Sequence, residues 1–580
     1  MVSSTHWLAS SSAMRILELG GNAYDAGVAA GFVLQVVEPH LNGPGGDLPA
    51  IIAGPGRAPR VLCGQGPAPA GATPEHFADL GMSMVPGSGP LAAAVPGAVE
   101  AWMLLLRDYG TMTPRQVLEP ALGYARDGHP LLGAVAATVE RVSDLFATHW
   151  PTSAKAWLAD GQGPDAGQLW RNEAWAATLE RLIVASEAVD GSREEQIDGF
   201  RAEWSRGFVA QAIADFATRP FRHNGGEVAP GVITADDLAS FAATWEEPAT
   251  LEFAGHTIAK TGGWGQGPAL LQVLGMLDSL SDQDPGVLDP DSAVGLHAIN
   301  EAWKLAMADR EAWLGDSAEV PLEALLGQDY LAQRAGLIGE RADLGVRPGQ
   351  PGGAAPRIAE LALAEVEHSV DATVGEPTVR RDGATRGDTC HVDVVDRWGN
   401  MISATPSGGW LQSSPMIPEL GFPLGSRLQM MWLEQGLVSS LVPGKRPRTT
   451  LTPTLVLRDG QPVLACGSPG GDQQDQWQSL FLLRHLAGGA TLQEAIDAPM
   501  SHTTSFPGSF YPRGIEPGVV VAEDRIDGQV LADLEAQGHL LQLSGAWTLG
   551  RMCAVARDPH TGIISAGANP RGMQGYAVGR

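Results

Sequence analysis

Residues 387–400 read GDTCHVDVVDRWGN, and the run continues as MISATPSG to residue 408. Val392 and Val394 alternate with polar residues, which predicts a strand. Asp396-Arg397-Trp398-Gly399-Asn400 supplies turn chemistry, and Met401 to about Ser407 predicts the return strand. If Asp396 faces Met401, Thr389 falls opposite Gly408 with Ser407 beside it. A slip of one residue at the turn places Ser407 directly opposite. In either register two hydroxyls meet at the open end of a hairpin.

That placement suits self-cleavage. A threonine hydroxyl can attack the carbonyl of the preceding residue through a five-membered ring, turning the peptide into an ester that water releases. Cutting between Asp388 and Thr389 frees an α-amine whose reference pKa is about 7.7–8.0. Such an amine can serve as base for its own hydroxyl, the Thr/N-terminal-amine mode of activation. On this hairpin alone, a turn leading into a sheet accounts for Gly-Asp-Thr at least as well, since Thr is a good strand residue.

The rest of the chain predicts helices in its first two-thirds, as in AMRILELGGNAYDAGVAAGFVLQVV, which Gly-Gly-Asn breaks in two, and AVEAWMLLLRDYG. After residue 388 strand-and-turn units dominate, such as TPTLVLRDG and QPVLACGSPGG, with helices at QSLFLLRHLAGG and DGQVLADLEAQG. GVRPGQPGGAAP, 345–356, reads as the clearest flexible stretch. Mixed helices and antiparallel strands predict helices packed on stacked sheets. A net charge of −28 argues against nucleic acid or an anionic membrane as partner. No apolar run is long enough to span a bilayer and no basic, apolar leader opens the sequence, so a cytoplasmic location is expected. Cys63, Cys390, Cys466 and Cys553 form no C-x-x-C pair and are expected reduced and mostly buried. No H-E-x-x-H is present, so no metal is expected; His391 reads as structural.

Several motifs in order resemble the gamma-glutamyltransferase (gamma-glutamyltranspeptidase) family. They are LELGGNAYDAGVAAGFVLQVVEPHLNGPGGD, AAAVPGAVEAWMLLLRDYGT, GVITADDLASFAATWEEP, HAINEAWKLAMADREAWLGD, DTCHVDVVDRWGNMISATPS, GKRPRTTLTPTLVLRDGQPVLACGSPGG and NPRGMQGYAVG. The resemblance implies an α+β, four-layer αββα N-terminal-nucleophile hydrolase fold, with two stacked antiparallel sheets between helical layers. It implies a proenzyme cut into a large chain, 1–388, and a small chain, 389–580, that stay together as a heterodimer or a higher oligomer. It implies Thr389 as nucleophile, Ser407 as its supporting hydroxyl, and Gly470 and Gly471 as the oxyanion hole. Thr449 and Thr450 match hydroxyls that hold a donor carboxylate. No cofactor is implied.

The donor-reading positions depart from the family. Gln65 stands where a carboxylate-gripping arginine is expected, Gly409 replaces an asparagine, and Arg427 replaces a glutamine. Met430 replaces the aspartate that binds the donor α-amine; a thioether offers an ammonium almost nothing. Only WLEQGLVSSLVPG separates Met430 from the KRP motif, where many members carry a longer lid. DQQDQW, 472–477, is expected to line the pocket beside the oxyanion hole, beginning with Asp472. The expected function is a self-processing threonine hydrolase or acyltransferase that cleaves an amide-type bond through an acyl-enzyme on Thr389, with a small-molecule, non-γ-glutamyl donor. The alternatives are a true gamma-glutamyltransferase or glutathione hydrolase with relocated donor contacts, a biosynthetic carbon–carbon bond hydrolase of the same family, and an uncleaved, non-catalytic relative.

Overall fold

The computed structural model describes residues 1–365, 389–571 and 575–580. Two antiparallel sheets dominate it. The seven-stranded sheet runs Tyr576–Val578, Val2–Ser4, Val392–Val395, Met401–Ala404, Leu48–Gly54, Arg57–Gly64, Thr244–Glu246. The six-stranded sheet runs Ile564–Ala568, Cys553–Arg557, Gln461–Gly467, Thr454–Arg458, His256–Lys260, Ala249–Phe253. Both mix strands from before and after residue 388.

Period-2 alternation divides the strand side chains between cores. Val392, Val394, Ile402 and Ala404 join an apolar cluster with helices Trp7–Glu18 and Ala23–Val37. Their neighbours Val395 and Met401 point the other way, onto Leu455, Leu457, Ala465 and Val555 of the second sheet. The second sheet's other face packs Val456, Leu464 and Cys466 against helices Gly267–Ser281 and Ala293–Trp313.

Helix Ala23–Val37 is buried on every side, as its all-round apolar sequence demands. Its start is set by Asn22, which accepts from Tyr24 and Asp25 N–H while Asp25 accepts back from Asn22 N–H. The stretch 345–356 is tied down rather than loose: Gly349 N–H donates to Asp309 at 2.6 Å and Arg334 donates to the Arg347 carbonyl at 2.6 Å. All four cysteines are buried and none is in a disulfide. Among the described residues no helix is long and apolar enough to cross a membrane.

Candidate active site

The hairpin pairs Val395 with Met401, Val394 with Ile402, Asp393 with Ser403 and Val392 with Ala404. Of the two registers considered, this is the slipped one. Its cause lies in the turn: Asp396 faces Asn400, and the Asp396 carboxylate collects the N–H groups of Trp398 and Asn400 at 2.9 and 3.0 Å. Continued outward, the register brings Thr389 opposite Ser407 as an antiparallel bridge. The Thr389 hydroxyl donates to Ser407 Oγ at 3.2 Å, and both residues are buried. Asp388, the other side of the expected cut, lies outside the described residues. His391 is fixed between Thr405 Oγ1 and Asp393 Oδ1, each at 2.9 Å, as a structural residue would be.

The loop 42–47, NGPGGD, lies along Ser407–Gly409. Asp47 and Ser407 exchange backbone hydrogen bonds of 2.9 and 3.1 Å, and Gly409, at φ +63°, packs its backbone onto Gly45 and Gly46. Arg427 closes this wall by donating to Asp47 Oδ1 at 2.8 Å. Its guanidinium also lies 5.6 Å from the Trp410 ring centre, and its Nη1 is 3.7 Å from Met430 Sδ. Trp410, Met430 and Phe510 form a small apolar cluster of their own. Burial raises the Asp47 pKa above the usual carboxylate range, opposed by Arg427 and by the nearby Gln65 carboxamide. Gln65 is fully buried, yet neither end of its carboxamide completes a well-formed hydrogen bond. Asp47, Trp410 and Phe510 escaped sequence reasoning. Asp47 and Arg427 are 380 positions apart, and nothing local in either motif announces the pair.

The second sheet delivers the glycine loop. Strand Gln461–Gly467 ends against the segment that follows Thr389: a Cβ on Gly467 would sit 2.2 Å from the His391 ring, so only glycine permits the approach. The chain then turns through Gly470, at φ +128° and ψ 43°, and Gly471, at φ +49°. Among the described residues neither of these two N–H groups donates to a protein acceptor. Thr449 pairs with Gly265 and its hydroxyl accepts from Leu451 N–H at 3.2 Å, whereas the buried Thr450 hydroxyl has no partner among the described residues.

The run 472–477, expected to line a pocket, is tied into the protein by its own hydrogen bonds. Asp472 is bound by Arg310 and by the N–H and hydroxyl of Ser509, at 2.9 and 2.6 Å. Gln474 bonds the Gly471 carbonyl, Asp475 pairs with Lys260, and Gln476 bonds the backbone of Thr503. Helix Gln474–Leu482 starts here and buries Gln474, Asp475 and Gln476. Close by, Glu311 is buried among Arg448, Arg513 and Arg310; burial pushes its pKa up, but the three guanidiniums prevail and hold it at about 2.

Among the described residues one side-chain group has metal-ligand chemistry: His297, Glu301 and His539. Each has protein partners already. His297 bonds His539 at 2.9 Å and the Gly339 carbonyl at 2.8 Å, while Glu301 pairs with Lys304 and Arg347. Two cations on its only carboxylate make it a poor home for a third.

Comparison with known proteins agrees with this geometry. The gamma-glutamyltranspeptidase family model matches residues 9–579. The oxamate amidohydrolase proenzyme of Klebsiella pneumoniae subsp. pneumoniae is 31% identical, over 100% of this chain and 98% of its own length. The glutathione hydrolase-like YwrD proenzyme of Bacillus subtilis is 29% identical, over 100% and 98%. Among solved structures, LmbA2991HD superposes with a TM-score of 0.94 at 55% identity, covering 100% of this chain and 98% of that one. Cephalosporin acylase from Bacillus halodurans superposes with a TM-score of 0.81 at 26% identity, covering 99% and 94%. The chain therefore belongs to the gamma-glutamyltranspeptidase family of hydrolase and acylase proenzymes.

Proposed function

We propose that the chain is a self-processing threonine hydrolase whose acyl donor is not a γ-glutamyl group. The observation that carries this reading is the buried Thr389–Ser407 hydroxyl pair at the hairpin mouth. Cleavage between Asp388 and Thr389 yields chains 1–388 and 389–580, held together as a heterodimer on a four-layer αββα frame. The apolar clusters on both faces of each large sheet support that layering. In turnover the new α-amine takes the Thr389 hydroxyl proton as Oγ attacks the donor carbonyl. The developing oxyanion meets the Gly470 and Gly471 N–H groups. The amine product leaves with the proton, and water then hydrolyses the ester. Ser407 steadies the nucleophile, and Thr449 and Thr450 lie on the donor side.

The wall of Gln65, Gly409, Arg427 and Met430 supports an altered donor: an α-ammonium would meet a thioether within an apolar cluster. One observation favours a second reading. Asp47 and Arg427 are an acid and a base beside the nucleophile strand, the two charges a zwitterionic γ-glutamyl head requires, though each already holds the other at 2.8 Å. Intact-mass analysis for the cut, followed by a panel of acyl donors on the cut enzyme, tests the proposal. Two fragments with turnover of amine-free donors support it; a chain that stays whole and inert overturns it.

A further inference from the structure

We infer that Gln266 and Arg310 are positioning residues that hold the 470–472 loop with the free Gly471 N–H aimed outward. The inference rests on the functional reading above and deepens it. Each carbonyl of the loop is clamped from behind. The Gly470 carbonyl accepts from Gln473 N–H at 3.0 Å, the Gly471 carbonyl from Gln474 Nε2 at 3.0 Å, and the Asp472 carbonyl from Gln266 Nε2 at 3.3 Å. Gln266 is itself held: its Nε2 also reaches Asp475 Oδ2 at 3.1 Å, and its Oε1 accepts from Arg310 Nη1 at 2.7 Å.

Arg310 reaches the same loop a second way, through the Asp472 carboxylate, and is anchored by Ser509 Oγ at 3.0 Å and the Pro507 carbonyl at 2.5 Å. All of these side chains are buried. The peptide unit is planar, so the Asp472 carbonyl held by Gln266 carries the Gln473 N–H with it, and the Gly470 carbonyl held by that N–H carries the Gly471 N–H. Glycines at φ +128° and +49° have little intrinsic preference for that one direction. The side-chain clamp therefore supplies a preorganisation that the loop backbone lacks. Both positioning residues precede Thr389 in the chain while the loop follows it, so the clamp crosses the proposed cut.

The test uses the processed enzyme and two probes, p-nitrophenyl acetate and glutaryl-p-nitroanilide, with Gln266→Met and Asp472→Asn as variants. The expected result for Gln266→Met is a fall in kcat of roughly ten- to hundredfold, with KM within about threefold and a nearly unchanged Tm. Asp472→Asn keeps the hydrogen-bonding shape and falls less. A structural role alone would lower Tm and would not separate kcat from KM. Variants that match the wild type in kcat, or that lose kcat, KM and Tm together, overturn the inference and leave the proposed function standing. A wild type inert toward both probes removes the proposed function and the inference with it.

Discussion

The hairpin 389–407 and the wall around Arg427 are both buried and both lie beside Thr389, yet they are built differently. In the hairpin, backbone register alone places the two hydroxyls, and a capped turn sets that register. In the wall, nothing is periodic: an ion pair, an indole, a thioether and a phenyl ring are gathered from segments far apart. A backbone-built site keeps its geometry while side chains change around it. A side-chain-built wall changes its specificity with each substitution. The half proposed to be catalytic is accordingly the half that resembles the family, and the half proposed to read the donor is the half that departs.

Removing the backbone-placed nucleophile gives the largest effect. Thr389→Ala is expected to abolish both processing and turnover; a single band on denaturing gels and no product with any donor check this. Two fragments from that variant would break the hairpin side of the comparison.

Next in size is the wall's ion pair. Asp47→Ala leaves the buried Arg427 charge unpaired, a loss on the order of 3–5 kcal/mol of stability. Denaturant unfolding measures it, and Asp47→Ala combined with Arg427→Met is expected to recover a good part.

Donor choice follows. An α-ammonium beside Met430 is unfavourable by about 3 kcal/mol, so γ-glutamyl-p-nitroanilide and glutathione are expected to turn over roughly a hundredfold less efficiently than a suited donor. Glutaryl-p-nitroanilide, which lacks the amine, is expected to do better in the same preparation. The reverse preference would promote Asp47 and Arg427 to a relocated amino-acid reader.

Ser407→Ala has the smallest expected effect: one hydrogen bond of about 0.5–1.5 kcal/mol, hence up to about tenfold slower processing and turnover with the fold intact. Rates equal to wild type would mean the 3.2 Å contact supports nothing chemical.

What could be read from the sequence follows the same divide. The hairpin was legible because alternation and turn residues are local. Its register was legible only to within one residue, because the Asp396 cap that settles it is a side-chain geometry rather than a pattern. The glycine loop was legible as a motif. The partners of 472–477 were not: an amide- and acid-rich run beside a glycine loop reads as pocket lining, and Lys260, Gln266, Arg310 and Ser509, which bind it, belong to other segments. The helix break at Gly20-Gly21-Asn22 matched its cap, whereas GVRPGQPGGAAP looked loose because its anchors, Asp309 and Arg334, belong to other segments.

The strand Val2–Ser4 lies between Tyr576–Val578 and Val392–Val395. During synthesis that strand leaves the ribosome long before either neighbour exists. It must wait, with both edges unpaired, until nearly the whole chain has been made. The seven-stranded sheet is thus a late event, and covalent continuity between 1–388 and 389–580 keeps the waiting strand near its partners. In the proposed mechanism the bond that provides this continuity is broken by Thr389, just ahead of the strand Val392–Val395 that pairs with Val2–Ser4. A cut made after the sheet has formed removes a tether that has finished its task. The two pieces made separately are expected to assemble poorly, however stable the assembled pair.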